Sequence, residues 1–435
     1  MRRKVMYQLL NWKNKGCEKP YMIIGARQVG KTYIVDEFCK NNFEKYLYIN
    51  LERDTGIKEI FEESIDPDLI IRQIGFLKNH PIDISNTVIF IDEVQLSERA
   101  IMSLKYFAEH SANYKVIVAG SLLGVAMNRF RSSFPVGKVK RHYLYPMDFE
   151  EFLLALDQDD LVREIYECYI DNKKMFEPVH DKLMNLYKDY LFVGGMPASV
   201  LSYIEANGDL NYYSRDIKRD ILEDYLADMN KYTTNSEGLK IKQVFQSIPS
   251  QLGRDNNKFS YKLIAENGKK AVYGTSIDWL LSSNLVNRAT MIEVPRIPLK
   301  TYHKENMFKI YMGDTGLLSE MADMTPYDLY SAGGKLFSGM MTENYIAQTL
   351  TASGVGLHYW RSGNTAEIDF LVNIEGEIIP LEVKASTNTK SKALKTYMET
   401  YKPVYAIKIS GKNFGYNGSI RSVPLYAAHL IGQRK

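Results

Sequence analysis

The sequence contains few cysteines and no long hydrophobic run, and each absence excludes a class of protein. Its three cysteines, Cys17, Cys39 and Cys168, are too few and too widely spaced for a disulfide-stabilised fold or a thiolate zinc site. No apolar stretch reaches the roughly 18–20 residues of a transmembrane helix. The basic N-terminal segment has neither the apolar core nor the small-residue cleavage site of a signal peptide. We therefore expect a cytoplasmic protein with no membrane partner.

The histidines and the net charge also give little indication of function. The seven histidines include no pair four residues apart, so we predict no zinc site. The net charge is only +3, from 55 basic and 52 acidic residues. With 435 residues, of which 45% are hydrophobic and 25% charged, the chain has an ordinary globular composition. At about 100–200 residues per domain, this length predicts two to four domains.

The first part of the chain, residues 1–150, has the pattern of an α/β domain. Short apolar runs at 21–25, 45–51, 87–93 and 114–121 alternate with stretches of helical periodicity. Runs of this length, rich in β-branched residues and separated by helices, are typical of a buried parallel sheet with helices on both faces. Residues 151–235 lack strand patterns and predict helices, which are interrupted by a sharp break at Gly194-Gly195.

Two further segments follow. Residues 236–330 show two helical stretches and then two strand-like runs, an order typical of a winged-helix domain. Residues 331–435 begin with a helix and continue as successive strands, which predicts a separate α/β domain of about 100 residues.

The sequence GARQVGKT, from Gly25 to Thr32, matches the phosphate-loop pattern G-x-x-x-x-G-K-[ST] between a strand and a helix. Glycines allow the tight turn that points backbone N–H groups at phosphate oxygens. Lys31 is expected to reach the β- and γ-phosphates, and the Thr32 hydroxyl to bind Mg²⁺. The residues expected to contact the nucleotide are Gly25, Ala26, Arg27, Gln28, Val29, Gly30, Lys31 and Thr32.

The strand TVIFIDE supplies the acidic residues of a nucleotide hydrolase. Asp92 ends this strand at the sheet edge where ligands bind, and it is a second candidate ligand of Mg²⁺. Glu93 is the candidate base that activates the attacking water. Ser121 ends the next strand, where it either contacts the γ-phosphate or water or is a simple strand-ending cap.

Basic residues after the fourth apolar run are candidates for an arginine finger that stabilises the transferred phosphate. They are Arg129, Arg131, Lys138 and Arg141. For any one of them, an ordinary surface cation is the commoner role.

At this point the chain resembles a known family. The segments GARQVGKT, FIDEVQ, AGSLLG, FPVGKVKRHYLYPMDFEEFL and FVGGMPASV are similar to those of prokaryotic AAA-superfamily ATPases that carry a C-terminal domain of uncertain function with a nuclease-like fold. The resemblance implies ATP as the nucleotide, and the guanine-reading pattern N-K-x-D is not found after the nucleotide core. It implies no particular substrate. Many relatives have Arg where this chain has Lys138.

The last segment contains a second set of acidic residues. Asp369 lies on one predicted strand, and Glu382 and Lys384 lie two residues apart on the next, so their side chains share a face. Paired carboxylates beside a lysine form a site for Mg²⁺ and hydroxide, and Glu343 on the preceding helix is a candidate third ligand. This arrangement resembles the PD-(D/E)xK nucleases, whose fold is restriction-endonuclease-like. The leading Pro is replaced, since Ala366 begins the triplet before Asp369.

The charge of the chain is unevenly distributed. Residues 384–435 contain ten Lys/Arg and one acidic residue, a net charge of +9, which leaves about −6 for the rest. Such a segment is typical of a protein that binds DNA, although a solvated basic face is an equal alternative. Two functions therefore remain open. The first is an ATPase that acts on DNA with a magnesium-dependent nuclease domain. The second is a nucleotide-switched interaction ATPase whose nuclease-like domain only binds a partner. A homo-oligomer is compatible with either.

Overall fold

The computed structural model describes residues 1–110, 113–121, 123–127, 134–231, 234–254, 257–330, 335–363, 366–387 and 391–432. The chain forms two compact units. The first consists of Arg2–Tyr145 with Ser282–Asn284, and the second of Met1, Pro146–Leu281 and Leu285–Lys435. Among the described residues, no helix has the length and apolar character needed to cross a membrane.

The first unit is built on a parallel sheet of five strands in the order β2-β3-β4-β1-β5. All six residues of β3 are buried, which requires cover on both faces of the sheet, as the apolar runs predict. The parallel sheet predicted from the sequence is confirmed, with one strand more than expected. The strands are β1 Tyr21–Ile24, β2 Lys45–Asn50, β3 Thr87–Asp92, β4 Lys115–Gly120 and β5 Lys140–Tyr143.

Strand β5 was not predicted because its sequence, KRHY, is polar. It lies at the sheet edge beside β1, and its residues are only partly buried or exposed. The helices of this unit are α1 Val5–Asn14, α2 Lys31–Asn42, α3 Thr55–Glu63, α4 Pro67–Leu77, α5 Glu98–Glu109 and α6 Leu123–Met127.

The second unit begins with helices, as predicted for residues 151–235. Its helices, including those of the later segments, are α7 Phe149–Ala155, α8 Asp159–Asp171, α9 Glu177–Val193, α10 Pro197–Glu205, α11 Asp216–Lys231, α12 Asn235–Gln246, α13 Ile248–Leu252, α14 Lys270–Ser282, α15 Thr315–Met321, α16 Pro326–Tyr330, α17 Lys335–Ala352 and α18 Lys392–Tyr401.

An eight-stranded mixed sheet follows, with the order β12-β13-β11-β10-β9-β8-β6-β7. Its strands are β6 Val286–Ile292, β7 His303–Met312, β8 His358–Ser362, β9 Ala366–Ile374, β10 Glu377–Val383, β11 Ala406–Ser410, β12 Gly415–Tyr416 and β13 Ile420–Pro424.

The hairpin β6–β7 departs from the sequence prediction of separate domains at 236–330 and 331–435. The order of two helices and a hairpin is present, but the hairpin is not a free wing. Strand β6 pairs in parallel with β8, so the hairpin extends the C-terminal sheet. The physical reason is that β8, which begins the C-terminal strands, has an edge whose backbone groups need partners, and β6 supplies them.

The break at Gly194-Gly195 is a close crossing of backbones. Helix α9 ends at Val193 and α10 begins at Pro197. Gly194 has φ +78°, and a Cβ there would lie 2.3 Å from Asp314 Oδ1. The backbone N–H of Gly195 donates to Asp314 Oδ2 at 2.7 Å. The other carboxylate oxygen of Asp314 accepts from the N–H of Leu317, in the first turn of α15. The distinctive glycines therefore have a structural role.

We expect Gly194→Ala to destabilise the second unit by about 3 kcal/mol, because it combines a strained backbone with a clash against Asp314 and Gly316. Thermal unfolding measures the loss. Gly208→Ala is the matched control, since Gly208 also has positive φ but the nearest atom to its Cβ would be 3.6 Å away. Equal losses in the two variants would contradict the clash.

Candidate functional site

The phosphate loop connects β1 to α2 at the carboxyl edge of the first sheet. Gln28 and Gly30 have left-handed backbone conformations, with φ of +64° and +90°, and Gly30 precedes the first turn of α2. A Cβ on Gly25 would lie 2.2 Å from the carbonyl oxygen of Leu144, so only glycine fits. Arg3 fixes the loop from outside, since its guanidinium donates to the Val29 carbonyl at 2.9 Å.

Lys31 is buried and folded back on its own loop. Its ammonium donates to the carbonyl oxygens of Ala26 at 2.7 Å and Gly25 at 3.1 Å. Burial lowers the pKa of Lys31 to about 8, although the nearby Glu93 and Asp92 partly oppose the shift. The loop carbonyls thus hold the ammonium at the phosphate loop.

Asp92 and Thr32 meet directly. The Thr32 hydroxyl donates to Asp92 Oδ2 at 2.7 Å, and the Tyr48 hydroxyl donates to the same oxygen at 3.2 Å. The other carboxylate oxygen accepts the backbone N–H of Glu93 at 3.0 Å. A hydroxyl and a carboxylate in contact are hard oxygen ligands, so these residues fit Mg²⁺.

Glu93 is held by two neighbours. It has a left-handed backbone, with φ +52°, and its Oε2 accepts from Gln95 Nε2 at 2.5 Å and from Ser121 Oγ at 3.4 Å. Gln95 packs over Gly120, where a Cβ would lie 2.2 Å from Gln95 Oε1. Sequence reasoning placed Ser121 here and missed Gln95. The signal was its position two residues after Glu93 in FIDEVQ.

The two arginine-finger candidates that the structure describes, Lys138 and Arg141, make contacts away from this site. Arg129 and Arg131 lie outside the described residues. Lys138 forms a half-exposed ion pair with Glu109 on α5, with Nζ and Oε1 2.8 Å apart. Arg141 stacks on the ring of Phe134, with Cζ 4.3 Å from the ring centroid. The finger assignment stays a prediction.

Four acidic residues of the second unit form a group that we call the carboxylate cluster. They are Glu343, Glu367, Asp369 and Glu382. Strands β9 and β10 pair antiparallel, with Phe370 opposite Leu381. Asp369 Oδ2 accepts the Val383 N–H at 2.7 Å, and Lys384 Nζ lies 2.7 Å from Glu382 Oε1. The structure therefore brings Asp369, Glu382 and Lys384 together, as their spacing suggests.

Lys309 on β7 is an unexpected member of this site. Its side chain is 1% exposed, and Nζ lies 2.9 Å from Glu343 Oε1 and 2.6 Å from Glu367 Oε1. Glu343 also accepts from the Tyr311 hydroxyl at 2.5 Å and from Asn257 Nδ2 at 2.9 Å. Glu343, the candidate third metal ligand, thus has both oxygens engaged by protein donors.

The pKa values follow these contacts. Burial alone would lower the pKa of Lys309, but Glu343, Glu367 and Asp369 outweigh it and raise the pKa. Burial likewise opposes ionisation of Glu343, yet Lys309 and the donated hydrogen bonds hold its pKa below the ordinary value. The pKa of Asp369 is raised well above its ordinary value by burial and by Glu382 and Glu343. The positive charge near Asp369 is therefore too small to stabilise its ionised form.

Glu382 is a second carboxylate with too little positive charge around it. Its side chain is 4% exposed, and Oε2 is buried with no hydrogen-bond partner among the described residues. Across the described part of the chain, no three or more His, Cys, Asp and Glu side chains are grouped so as to hold a metal ion. The pair Asp369 and Glu382 fits a cation best, because Lys309 already engages Glu343 and Glu367.

Comparison with protein families identifies the first domain. A model described as "AAA domain" matches residues 18–153. Two models described as "Domain of unknown function", DUF8612 and DUF4143, match residues 184–328 and 338–427. Residues 18–153 therefore form an AAA-type P-loop ATPase domain. Comparison with the curated proteins finds no match.

Comparison with solved structures finds chains of low sequence identity to this one. The Walker-type ATPase of Pyrococcus abyssi is 14% identical with a TM-score of 0.45, over 74% of this chain and 95% of that chain. The ORC2 protein of Aeropyrum pernix, in ADPNP and ADP complexes, is 15% identical with a TM-score of 0.39, over 73% and 91%. The ORC1 protein of Aeropyrum pernix in complex with DNA is 12% identical with a TM-score of 0.32, over 72% and 91%.

Proposed function

We propose that the chain is an ATP hydrolase that acts on DNA and carries a magnesium-dependent nuclease site in its second unit. The observation that supports the ATPase half best is the contact of Thr32 with Asp92 beside the phosphate loop, at 2.7 Å. These two residues would hold Mg²⁺, which supplies positive charge to the phosphates when bound. In this reading, Lys31 exchanges its loop carbonyls for phosphate oxygens when ATP enters.

Glu93 then acts as the base toward water. A carboxylate held by Gln95 and Ser121 has a fixed orientation, which a base needs in order to reach a water proton. Ser121 and Gln95 are positioning residues in this proposal, because their contacts run through Glu93.

The proposed action on DNA is supported by the positive charge of the C-terminal segment and by the carboxylate cluster. The lysines Lys392, Lys395, Lys402 and Lys412 are exposed in the basic C-terminal segment, as phosphate contacts require. Asp369 and Glu382 would hold Mg²⁺, and Lys384 beside them would orient a water or hydroxide toward a phosphodiester. The side chains of Glu367 and Lys384 are only partly buried, so solvent reaches this edge of the cluster.

A second function is supported by Lys309. Because its ammonium already pairs with both Glu343 and Glu367, the cluster is partly compensated without metal. This arrangement suits a nucleotide-switched interaction ATPase whose nuclease-like domain binds a partner and cleaves nothing.

We expect ATP binding to take up a proton at alkaline pH. Lys31 in the free protein loses its proton as pH rises through about 8, whereas phosphates raise its pKa in the complex. Affinity is therefore complete well below pH 8, is about half its full value at pH 8, and falls by about a further fivefold between pH 8 and 9. Calorimetry in buffers of different ionisation enthalpy measures the uptake. Lys31→Arg, which stays charged, should bind without this dependence, and Lys31→Ala should not bind; a wild type with no pH dependence would contradict the assignment.

Glu93→Gln should lower the kcat of ATP hydrolysis by about a hundredfold or more while ATP affinity stays unchanged, because the amide cannot accept the proton of water. Gln95→Met should lower kcat less, by roughly tenfold, through loss of the hydrogen bond to Glu93. Glu59→Gln, at an exposed position of α3, is the control. Full turnover in Glu93→Gln would exclude Glu93 as the base.

Asp369→Ala should abolish Mg²⁺-dependent cleavage of DNA and leave ATP turnover intact, since the carboxylate belongs to the second unit. Cleavage of single- and double-stranded DNA, with and without ATP, measures the effect. Glu377→Ala, an exposed position on the same hairpin, is the control. If the wild type cleaves no form of DNA while it hydrolyses ATP, the nuclease half fails and the second function is favoured.

A further inference from the structure

The carboxylate cluster contains more negative than positive charge. Its four acidic side chains face two ammonium groups, Lys309 and Lys384, which make close ion pairs, and Arg361 adds a longer contact, with Nε 4.0 Å from Glu367 Oε2. Buried charges are stable only with opposite charge or hydrogen bonds around them. The arrangement of these two cations therefore decides where a further cation is needed.

The positive charge is distributed unequally over the cluster. On one side, Lys309 is shared by Glu343 and Glu367, Arg361 also lies 4.0 Å from Glu367, and Glu343 has two further donors, Tyr311 and Asn257. On the other side, Lys384 Nζ lies 2.7 Å from Glu382 Oε1, while Oε2 of the same carboxylate is buried with no hydrogen-bond partner among the described residues. The side of Glu343 and Glu367 is thus complete, and the side of Asp369 and Glu382 is not.

The ammonium of Lys309 lies between carboxylates, in the kind of position that a bound metal ion takes. It comes from β7, which lies beyond β6 and β8 from the β9–β10 hairpin, and its side chain is 1% exposed. Its Nζ bridges oxygens of two carboxylates from different elements, α17 and β9, which is the bridging role that a divalent ion has in an acidic site. An ammonium differs in being covalently tethered, so it cannot dissociate.

We propose that Lys309 is a resident cation of the carboxylate cluster, and that it takes a position that a divalent metal ion would otherwise occupy between Glu343 and Glu367. Metal binding is then confined to the side of Asp369 and Glu382. The inference rests on the metal-binding half of the proposed function, which the same experiment tests separately.

The experiment counts Mn²⁺ bound to the full-length, nucleotide-free chain, by electron paramagnetic resonance of the free ion. We expect Lys309→Met to bind one ion more than the wild type, because removal of the ammonium leaves Glu343 with neutral donors and Glu367 with only the 4.0 Å contact to Arg361 among the described residues. Lys304→Met is the control on the same strand, since Lys304 pairs with Glu293 at a half-exposed position, and its count should equal that of the wild type.

An unchanged count in a folded Lys309→Met variant would overturn the proposal. The comparison of wild type with Asp369→Asn tests the other half: a loss of one ion supports the metal site of the proposed function, and no loss removes that site. The two results are independent, since the first depends on Lys309 and the second on Asp369.

Loss of folding in Lys309→Met is also informative. The uncompensated carboxylates should lower its thermal unfolding midpoint, and Mn²⁺ should restore the midpoint by more than it raises that of the wild type. A variant that stays unfolded with Mn²⁺ present would overturn the proposal, because a metal ion could not then replace the ammonium.

Discussion

Charges removed from water need nearby opposite charge, and both candidate sites of this protein are organised by that requirement. In the first unit, Lys31 lies under the phosphate loop with loop carbonyls and the carboxylates of Asp92 and Glu93 around it. In the second unit, Lys309 lies between Glu343 and Glu367. The two lysines differ in what compensates them: carbonyl dipoles can be exchanged for a ligand's phosphates, whereas two ionised carboxylates form a closed ion-pair network.

This difference bears on the functions proposed for the two units. The nucleotide site holds its cation in weak contacts and its Glu93 in a short chain of hydrogen bonds, so a polyanionic ligand gains more than it displaces. The carboxylate cluster binds Lys309 strongly and leaves Glu382 Oε2 with no hydrogen-bond partner in the described part of the chain. In terms of the proposed functions, the whole of the first site suits a nucleotide, whereas only the side of Asp369 and Glu382 suits a metal ion in the second.

Much of the first unit could be predicted from sequence, because a local pattern contains its information. The glycines, Lys31 and Thr32 are contiguous, and Asp92 follows an apolar strand whose end must lie at the same sheet edge. Strand β5 was missed because an edge strand need not be apolar. The pairing of Glu382 with Lys384 was visible from strand alternation, but Lys309 was not, since it approaches from a strand 60 residues before Asp369. Its one signal was a lysine within the apolar run MFKIYM, where a charge needs a partner.

The shared sheet determines how the chain can be divided for expression. A fragment cut near residue 331, where sequence patterns suggest a domain boundary, would leave β8 without β6 and remove Lys309 together with β7. The isolated C-terminal piece would then present an open strand edge, prone to self-association, and an acidic interior without its cation. A fragment that begins near residue 146 keeps the helices, the hairpin and the whole sheet in one polypeptide. For this protein, the compact unit that contains the C-terminal sheet begins far upstream of residue 331.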